Sequence, residues 1–512
     1  MGMTQLSRPQ GDTHSKALLG PLLCWAVVFA DIGSSIYYVP GILYSNVGGM
    51  AGFFVLLTMI VFILLTLKYA EVSERFPEGG GVVSVAAQGI HSWAGALGGM
   101  FILVSYFLTA AISCLSSIQY LAIVFPALQP FVLIIAIGVL FLLGVLNWVG
   151  ISESARVSLI AALVAFGSDL AVLVVVFTHI TFQRLIELFL LAFTQETITT
   201  SSILVGFAGA FLAFSGLESI SQLSPVMKAP RKKVISLALL LVTLTIGFTS
   251  PLLTALSTLL QPDAARNEVL STQLISLLGG HWGHIFVQQE VAISASLILI
   301  FAGNTAIIGA YHVFLALARM DFLPPLVLKR NRLRNTPQYS IALATGIPII
   351  VLLIVNGKIN LLGDMYAFGL LAAFSLTCLG LDIIRIRERR RKSTTPIFAA
   401  EKQNGHMSTL VPLLPGSAGS AQFTELLSGN GKRPVKRTMP ALLKRIHAVV
   451  LFCWRQIDFW LGILTTMLVF LAWIIGVFSK PLGTAFGGSV ILVGMSVAII
   501  NYIRQGRTLV LP

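Results

Sequence analysis

Two stretches place acids, hydroxyls and glycines inside runs that are otherwise apolar. One is Asp31-Ile32-Gly33-Ser34-Ser35-Ile36-Tyr37-Tyr38-Val39-Pro40-Gly41; the other is Phe214-Ser215-Gly216-Leu217-Glu218-Ser219, preceded by Gly206 and Gly209. A carboxylate in hydrocarbon is costly unless it is protonated, paired or bound to a cation, so Asp31 is a functional candidate by position alone. Unwound backbone at such depth is tolerated only inside protein or along a wet cavity. Amides freed at a half-helix N-terminus can hold an anion, and carbonyls ending the preceding half can hold a cation. Lacking Cβ, Gly33 and Gly216 would let the backbone approach a ligand, whereas Gly206 and Gly209 fit close helix packing. A third set, Tyr106, Thr109, Ser113 and Ser117, recurs at intervals of three, four and four and so forms one polar stripe on a helix face. Neutral oxygens with one carboxylate suit a hard monovalent cation. The alternative for Ser113 and Ser117 is local bonding to carbonyls four residues back.

The elements that hold these residues follow from composition. With 512 residues, 56% hydrophobic and 11% charged, and a mean hydropathy of +0.89, the chain cannot cover a water-facing globule. Apolar runs of roughly 18 to 25 residues recur throughout, each long enough to cross a bilayer as a helix. The pattern predicts an all-α membrane protein with spans near 18–46, 50–70, 94–124, 128–147, 157–179, 202–223, 234–259, 286–318, 340–356, 362–383, 457–478 and 483–503. Interruptions five spans apart, in the first and sixth, are what two inverted five-helix repeats produce, with a site between them at the midplane.

The organisation expected is a tail at 1–17, repeats at 18–179 and 202–383, a basic, mostly disordered loop at 384–456, two additional helices at 457–503 and a tail at 504–512. The polar start leads into the first apolar run without a cleavage site, so that span is expected to stay. Placing the N-terminus inside puts all but four of the 34 Lys and Arg on the cytoplasmic side, the exceptions being Arg184, Arg266, Lys358 and Lys480. The net charge of +14 is therefore topology and not a nucleic-acid footprint. Cys24, Cys114, Cys378 and Cys453 show no metal-ligand or paired spacing and read as small core residues. No Walker sequence, nucleophile elbow or metal-ligand cluster occurs, so neither a cofactor, an ATP-driven pump nor an enzyme is expected.

Four motifs resemble the amino acid–polyamine–organocation (APC) superfamily: Ile32-Gly33-Ser34-Ser35-Ile36-Tyr37 with Pro40; Pro77-Glu78-Gly79-Gly80-Gly81; Phe214 to Ser219 followed by Lys228-Ala229-Pro230-Arg231-Lys232; and Ala318-Arg319-Met320-Asp321-Phe322-Leu323-Pro324 with Asn335-Thr336-Pro337. The resemblance implies the LeuT-type 5+5 inverted repeat with about 12 transmembrane helices, and a substrate carboxylate held by amides near Ser34 and Ser35. It also implies an ionisable coupling group in span five, where Asp169 stands, and an ion-lining role beside the first helix for Asn304 and Thr305. Glu218 reads as a partner for amides freed by the span-six break. Asp31 and Ser35 depart from the amino acid pattern, which has an apolar residue and a glycine there. Asp31, Ser34, Ser35 and Tyr38, with Tyr106, Thr109 and Ser113, resemble the KUP-type and KimA-type potassium importers instead, although Ser105 stands where the KimA-like pattern has a second acid.

The reading is a secondary transporter in the cell membrane with cytoplasmic termini. It takes up an amino acid or related amine with a coupling ion, H+ in the first place; the alternative is potassium uptake. The expected site comprises Asp31, Gly33, Ser34, Ser35, Tyr38, Tyr106, Thr109, Ser113, Phe214, Ser215 and Gly216, with Asp31, Asp169, Asn304 and Thr305 as coupling candidates. Expected partners are a small molecule or monovalent cation and the lipid bilayer, and not nucleic acid. A cysteine replacing Gly416, in the basic loop, should resist an impermeant thiol reagent in intact cells and react once the cells are opened; rapid labelling of intact cells would reverse the topology.

Overall fold

The computed structural model describes residues 18–79, 81–150, 155–195, 199–394 and 441–505. Eleven helical stretches among them are long and apolar enough to cross a bilayer, and the shorter Pro21–Tyr37 begins another crossing. Spans two to five are Ala51–Arg75, Ser92–Val124, Val132–Val149 and Ala155–His179; spans seven to nine are Arg231–Leu260, Ile285–Arg319 and Gln338–Val355. Spans ten to twelve are Ile359–Thr394, Ala441–Ser479 and Pro481–Arg504. The middle of span three is wholly buried, span eight lies along span three, and span two pairs with span seven.

Spans one and six are the interrupted ones. Span one runs as α-helix over Pro21–Gly33, tightens to a 3-10 turn over Ser34–Tyr37, and resumes over Val39–Val47. Its dihedral break falls at Tyr38 (φ −118°, ψ −23°), not at Gly33, which is helical (φ −62°, ψ −26°). The reason is Pro40. Having no N–H it cannot bond back to Ile36, and it is accommodated in the first turn of the resumed helix, where no such bond is needed. Span six runs over Thr200–Ala210 and a 3-10 turn at Phe211–Phe214, then resumes at Ser219–Leu223. Here the break is where the glycine predicts: Ser215 is extended (φ −64°, ψ 143°) and Gly216 has φ +97°.

Spans ten and eleven are longer than expected. Helix covers both ends of the 384–456 stretch, to Thr394 and from Ala441, while the rest of that loop, like the tails at 1–17 and 506–512, lies outside the described residues. Residues 384–461 form a compact unit of their own. Within it Arg385 pairs with Asp458 at 3.3 Å and the Arg389 guanidinium sits 3.8 Å over the Phe459 ring. Arg is also a good helix former and suits a helix C-terminus, which is why hydropathy alone ends this helix too soon. Cys24, Cys114 and Cys378 are buried and free; the side chain of Cys453 lies outside the description.

One buried ion pair fastens the extra spans to the repeats. Lys68 of span two, 2% exposed at its side chain, lies 2.7 Å from Asp382 of span ten. Its ammonium also donates to Thr466 of span eleven at 2.8 Å and to the Cys378 carbonyl at 3.3 Å, and Thr466 donates to the other Asp382 oxygen at 2.5 Å. Three donors and two acceptors are thus all used, the condition under which a buried pair is tolerated. Lys68→Met should lower the melting temperature in detergent by leaving Asp382 buried and unpaired, a loss on the order of 3–5 kcal/mol. Adding Asp382→Asn should recover much of it; equal melting of wild type and Lys68→Met would show that the pair contributes nothing.

Candidate functional site

Asp31 ends the α-helical part of span one and is 4% exposed. One carboxylate oxygen accepts from the Ser219 hydroxyl at the restart of span six. The two spans meet here because position 216 is glycine: a Cβ there would lie 2.7 Å from Asp31 Cγ and 3.0 Å from its carbonyl carbon. Positive φ and this close approach both require glycine at position 216. At Gly33 the nearest atoms a Cβ would meet belong to the Phe29 ring of its own helix, at 3.1 Å.

The seryl hydroxyls are committed to backbone. Ser34 donates to the Asp31 carbonyl at 2.6 Å, and Ser35 donates to the carbonyls of Ile32 (2.7 Å) and Ala213 (2.8 Å). Because the 3-10 turn runs through them, the amides near Ser34 and Ser35 are not the freed ones, contrary to the anion-holding expectation. Tyr38 meets Ser215, hydroxyl to hydroxyl, at 3.5 Å, and the Tyr366 hydroxyl of span ten faces Ser215 and Ser105. Phe214 turns out of the site: its ring stacks on Phe62 of span two, centroids 4.5 Å apart.

Glu218 is 5% exposed, its carboxylate lies near the backbone amides of Gly216 and Glu218, and its Oε2 has no hydrogen-bond partner among the described residues. It also borders a cavity of about 500 Å³ whose lining includes Tyr69, Glu78, Tyr106, Gln222, His312 and Arg319. Tyr106 accepts from Gln222 across this cavity. Of the third-span stripe only Tyr106 borders it. Thr109 donates to the Ser105 carbonyl at 3.0 Å, the local bond expected of Ser113 and Ser117, whose hydroxyls are instead buried with no partner among the described residues.

Two coupling candidates are placed elsewhere. Asn304 accepts from Asn147 of span four at 2.7 Å, and Thr305 bonds back to the Phe301 carbonyl at 3.0 Å. Small residues let span eight pack closely on span three, Gly303 reaching Cys114 Sγ, and that packing sets which way these neighbours turn. Asp169 accepts from Tyr37, not from the Asp31 cluster. Ser219, Tyr366 and Gln222 were missed by sequence reasoning. Gln222 follows Glu218 at four residues and so carried a helical signal; Tyr366 had none, since it sits alone in an apolar run. No group of three or more metal-ligating side chains occurs among the described residues. What remains is a buried, acidic, oxygen-rich cluster around Asp31 next to the cavity that Glu218 borders, with no Lys or Arg hydrogen-bonded to Asp31 or Ser219 among the described residues.

The sequence pattern of the amino acid permease family matches residues 22–440. The chain is 28% identical to "Potassium transporter KimA" of Bacillus subtilis over 339 residues, 65% of this chain and 54% of that protein. It is 31% identical to "Probable potassium transport system protein Kup" of Nitrosospira multiformis over 169 residues, 28% of this chain and 27% of that protein. The chain thus spans about half the length of the first relative and about a quarter of the second.

Gly216→Ala should abolish uptake at normal membrane expression, because its methyl would enter the space of the Asp31 carboxyl and strain a positive φ. Gly33→Ala, in helical backbone against a ring edge, should retain most uptake. Equal uptake by both variants would detach the span-six break from the site.

Proposed function

The chain belongs to the amino acid permease family, and from that premise we propose that it is a secondary transporter whose pocket takes a monovalent cation, K+ in the first place, with H+ as the coupling ion. The single observation that carries this reading is the Asp31 carboxyl against Gly216 and Ser219. In a site built for an amino acid, the substrate carboxylate would meet freed amides; here a protein carboxyl already lies against the span-six break, with Glu218 on the same broken segment. Like charges so placed repel, while a dehydrated cation supplies the missing charge. Asp31 would bind the cation, and Tyr38, Ser215, Ser219 and Tyr366 would offer neutral oxygens. The names of the two relatives support the same substrate. We put the cation first because this carboxyl supports it.

A small amine or amino acid is the second reading, favoured by the family description and by the cavity volume, which exceeds what a bare ion needs. In either case the cavity beside Glu218 is the passage to one side of the membrane, the cytoplasmic side if the positive charges are inside. For K+, Asp31→Asn should abolish cation-dependent thermal stabilisation and flux, and Tyr38→Phe should weaken both by less, as binding to the native state is lost. For proton-coupled amino acid uptake the same Asp31→Asn mimics the protonated acid, so it should keep substrate exchange and lose only accumulation. Exchange in proteoliposomes separates the two, and an Asp31→Asn variant unchanged in binding, exchange and accumulation would remove Asp31 from the site.

A further inference from the structure

Away from the Asp31 cluster, the seam between spans four and nine opens outward as an apolar groove of about 410 Å³, whose lining includes Phe141, Trp148, Ile341, Thr345 and Ile349. Its floor is set at Gly144, where a Cβ would lie 2.6 Å from Thr345 Oγ1, so the two helices press together at that level. Above the floor the walls are uncovered. Phe141 is 63% exposed and Trp148 44%, and a Cβ at Gly346, also on the lining, would meet no atom within 4 Å. Along span nine the groove runs from Gln338, at the start of the helix, to Ile349, a distance of about 16 Å. One leaflet of hydrocarbon is about 15 Å deep, so the groove has the length of a lipid tail and not of a crossing helix.

The Gln338 end of the groove meets a basic loop. Lys329, Arg330, Arg332 and Arg334 fall within six residues and all are exposed. Thr336 donates to the Trp148 carbonyl at 2.7 Å, which ties this loop to the last turn of span four beside the groove. The loop is closed on itself by the Asn331 amide to the Thr336 carbonyl at 2.8 Å and the Asn335 amide to the Asn331 carbonyl at 2.9 Å. Arg330 is used within it, donating to the Asn335 carbonyl at 3.0 Å, while Arg332 and Arg334 carry no such bond among the described residues. Between those two stands Leu333, 87% exposed, an apolar tip flanked by cations that suits the boundary between headgroups and tails.

An apolar slot one leaflet deep with fixed guanidiniums at its mouth is complementary to an anionic phospholipid, tail in the slot and phosphate at the cations. A neutral lipid would fill the slot and leave the charges unanswered, and a helix from a second copy would run on past the leaflet. We propose that this groove binds one anionic phospholipid from the leaflet on the Lys- and Arg-rich face, which is cytoplasmic under the positive-inside rule. One acyl chain lies along Phe141, Ile341 and Ile349, and Arg332 and Arg334 hold the headgroup phosphate. The lipid thereby joins the end of span four to the start of span nine. Nothing in this depends on which substrate the protein carries.

The test uses the full chain in phosphatidylcholine proteoliposomes into which phosphatidylglycerol or phosphatidylcholine with brominated acyl chains is mixed. Quenching of Trp148 fluorescence, taken as the difference between the wild type and Trp148→Phe, reports a tail in the groove. Half-quenching should need about tenfold less brominated phosphatidylglycerol than brominated phosphatidylcholine, the size expected from two cations at a headgroup. Arg332→Gln combined with Arg334→Gln, both on an exposed loop, should remove that preference and leave the phosphatidylcholine curve where it was. Gly346→Leu, whose side chain enters open space, should reduce quenching by both lipids. Equal quenching by the two lipids in the wild type would mean ordinary surrounding lipid only, and a preference that survives the double substitution would put the headgroup elsewhere; either result overturns the inference. So does unchanged quenching in Gly346→Leu, or a wild type that neither lipid quenches because a second copy covers the groove.

Discussion

Backbone interrupted inside lipid must be rebonded by something other than its own helix, and most of this site follows from that requirement. The span-one turn is rebonded by Ser34, Ser35 and Tyr120, and the span-six turn by Ser219 and Ser221, whose hydroxyls donate to the carbonyls of Gly216 and Glu218. Ser35 does this in both directions, closing its own turn and reaching the Ala213 carbonyl across the gap. The hydroxyls are first of all structural, and the pocket is what is left once they are used. Asp31 is held in that remnant by a serine that is also part of the backbone repair. Its position is therefore as fixed as the break itself.

The adjacent tyrosines tie this repaired turn to two different spans. A 3-10 turn places successive side chains about 120° apart, so Tyr37 and Tyr38 cannot serve the same neighbour. One is bonded to span five and the other meets span six. Any rotation of the turn that loosens one contact disturbs the other. Coupling of this kind needs two discrete arrangements of one packed element.

Much of this architecture was legible in the sequence because it depends on one-dimensional signals. Span positions follow from hydropathy, and Gly216 and Asp31 stand out because a glycine and an acid are costly in apolar helices unless used. The break in span one was misplaced because glycine is a permissive residue and not a breaker; Pro40, which removes a bond outright, decided the matter. The direction of a side chain was the part least accessible. Phe214, Asn304 and Thr305 lie at motif positions, yet the packing of spans two, four and eight turns them to other partners. Lys68 reads as a boundary charge until Asp382, 314 residues later, is known to be its partner.

That separation has a consequence for how the protein is made. Lys68 enters the membrane long before Asp382 exists, an interval of about 15 to 60 s at ordinary rates of synthesis, and longer still before Thr466. Through that interval its ammonium has no counter-ion at its final depth and must reach the headgroups along its own flexible stem. Span two is then held near the interface until spans ten and eleven arrive and draw it in. The last helices made therefore complete the seating of one of the first, and a nascent chain stopped before span ten would carry an unmatched charge that membrane quality control can recognise.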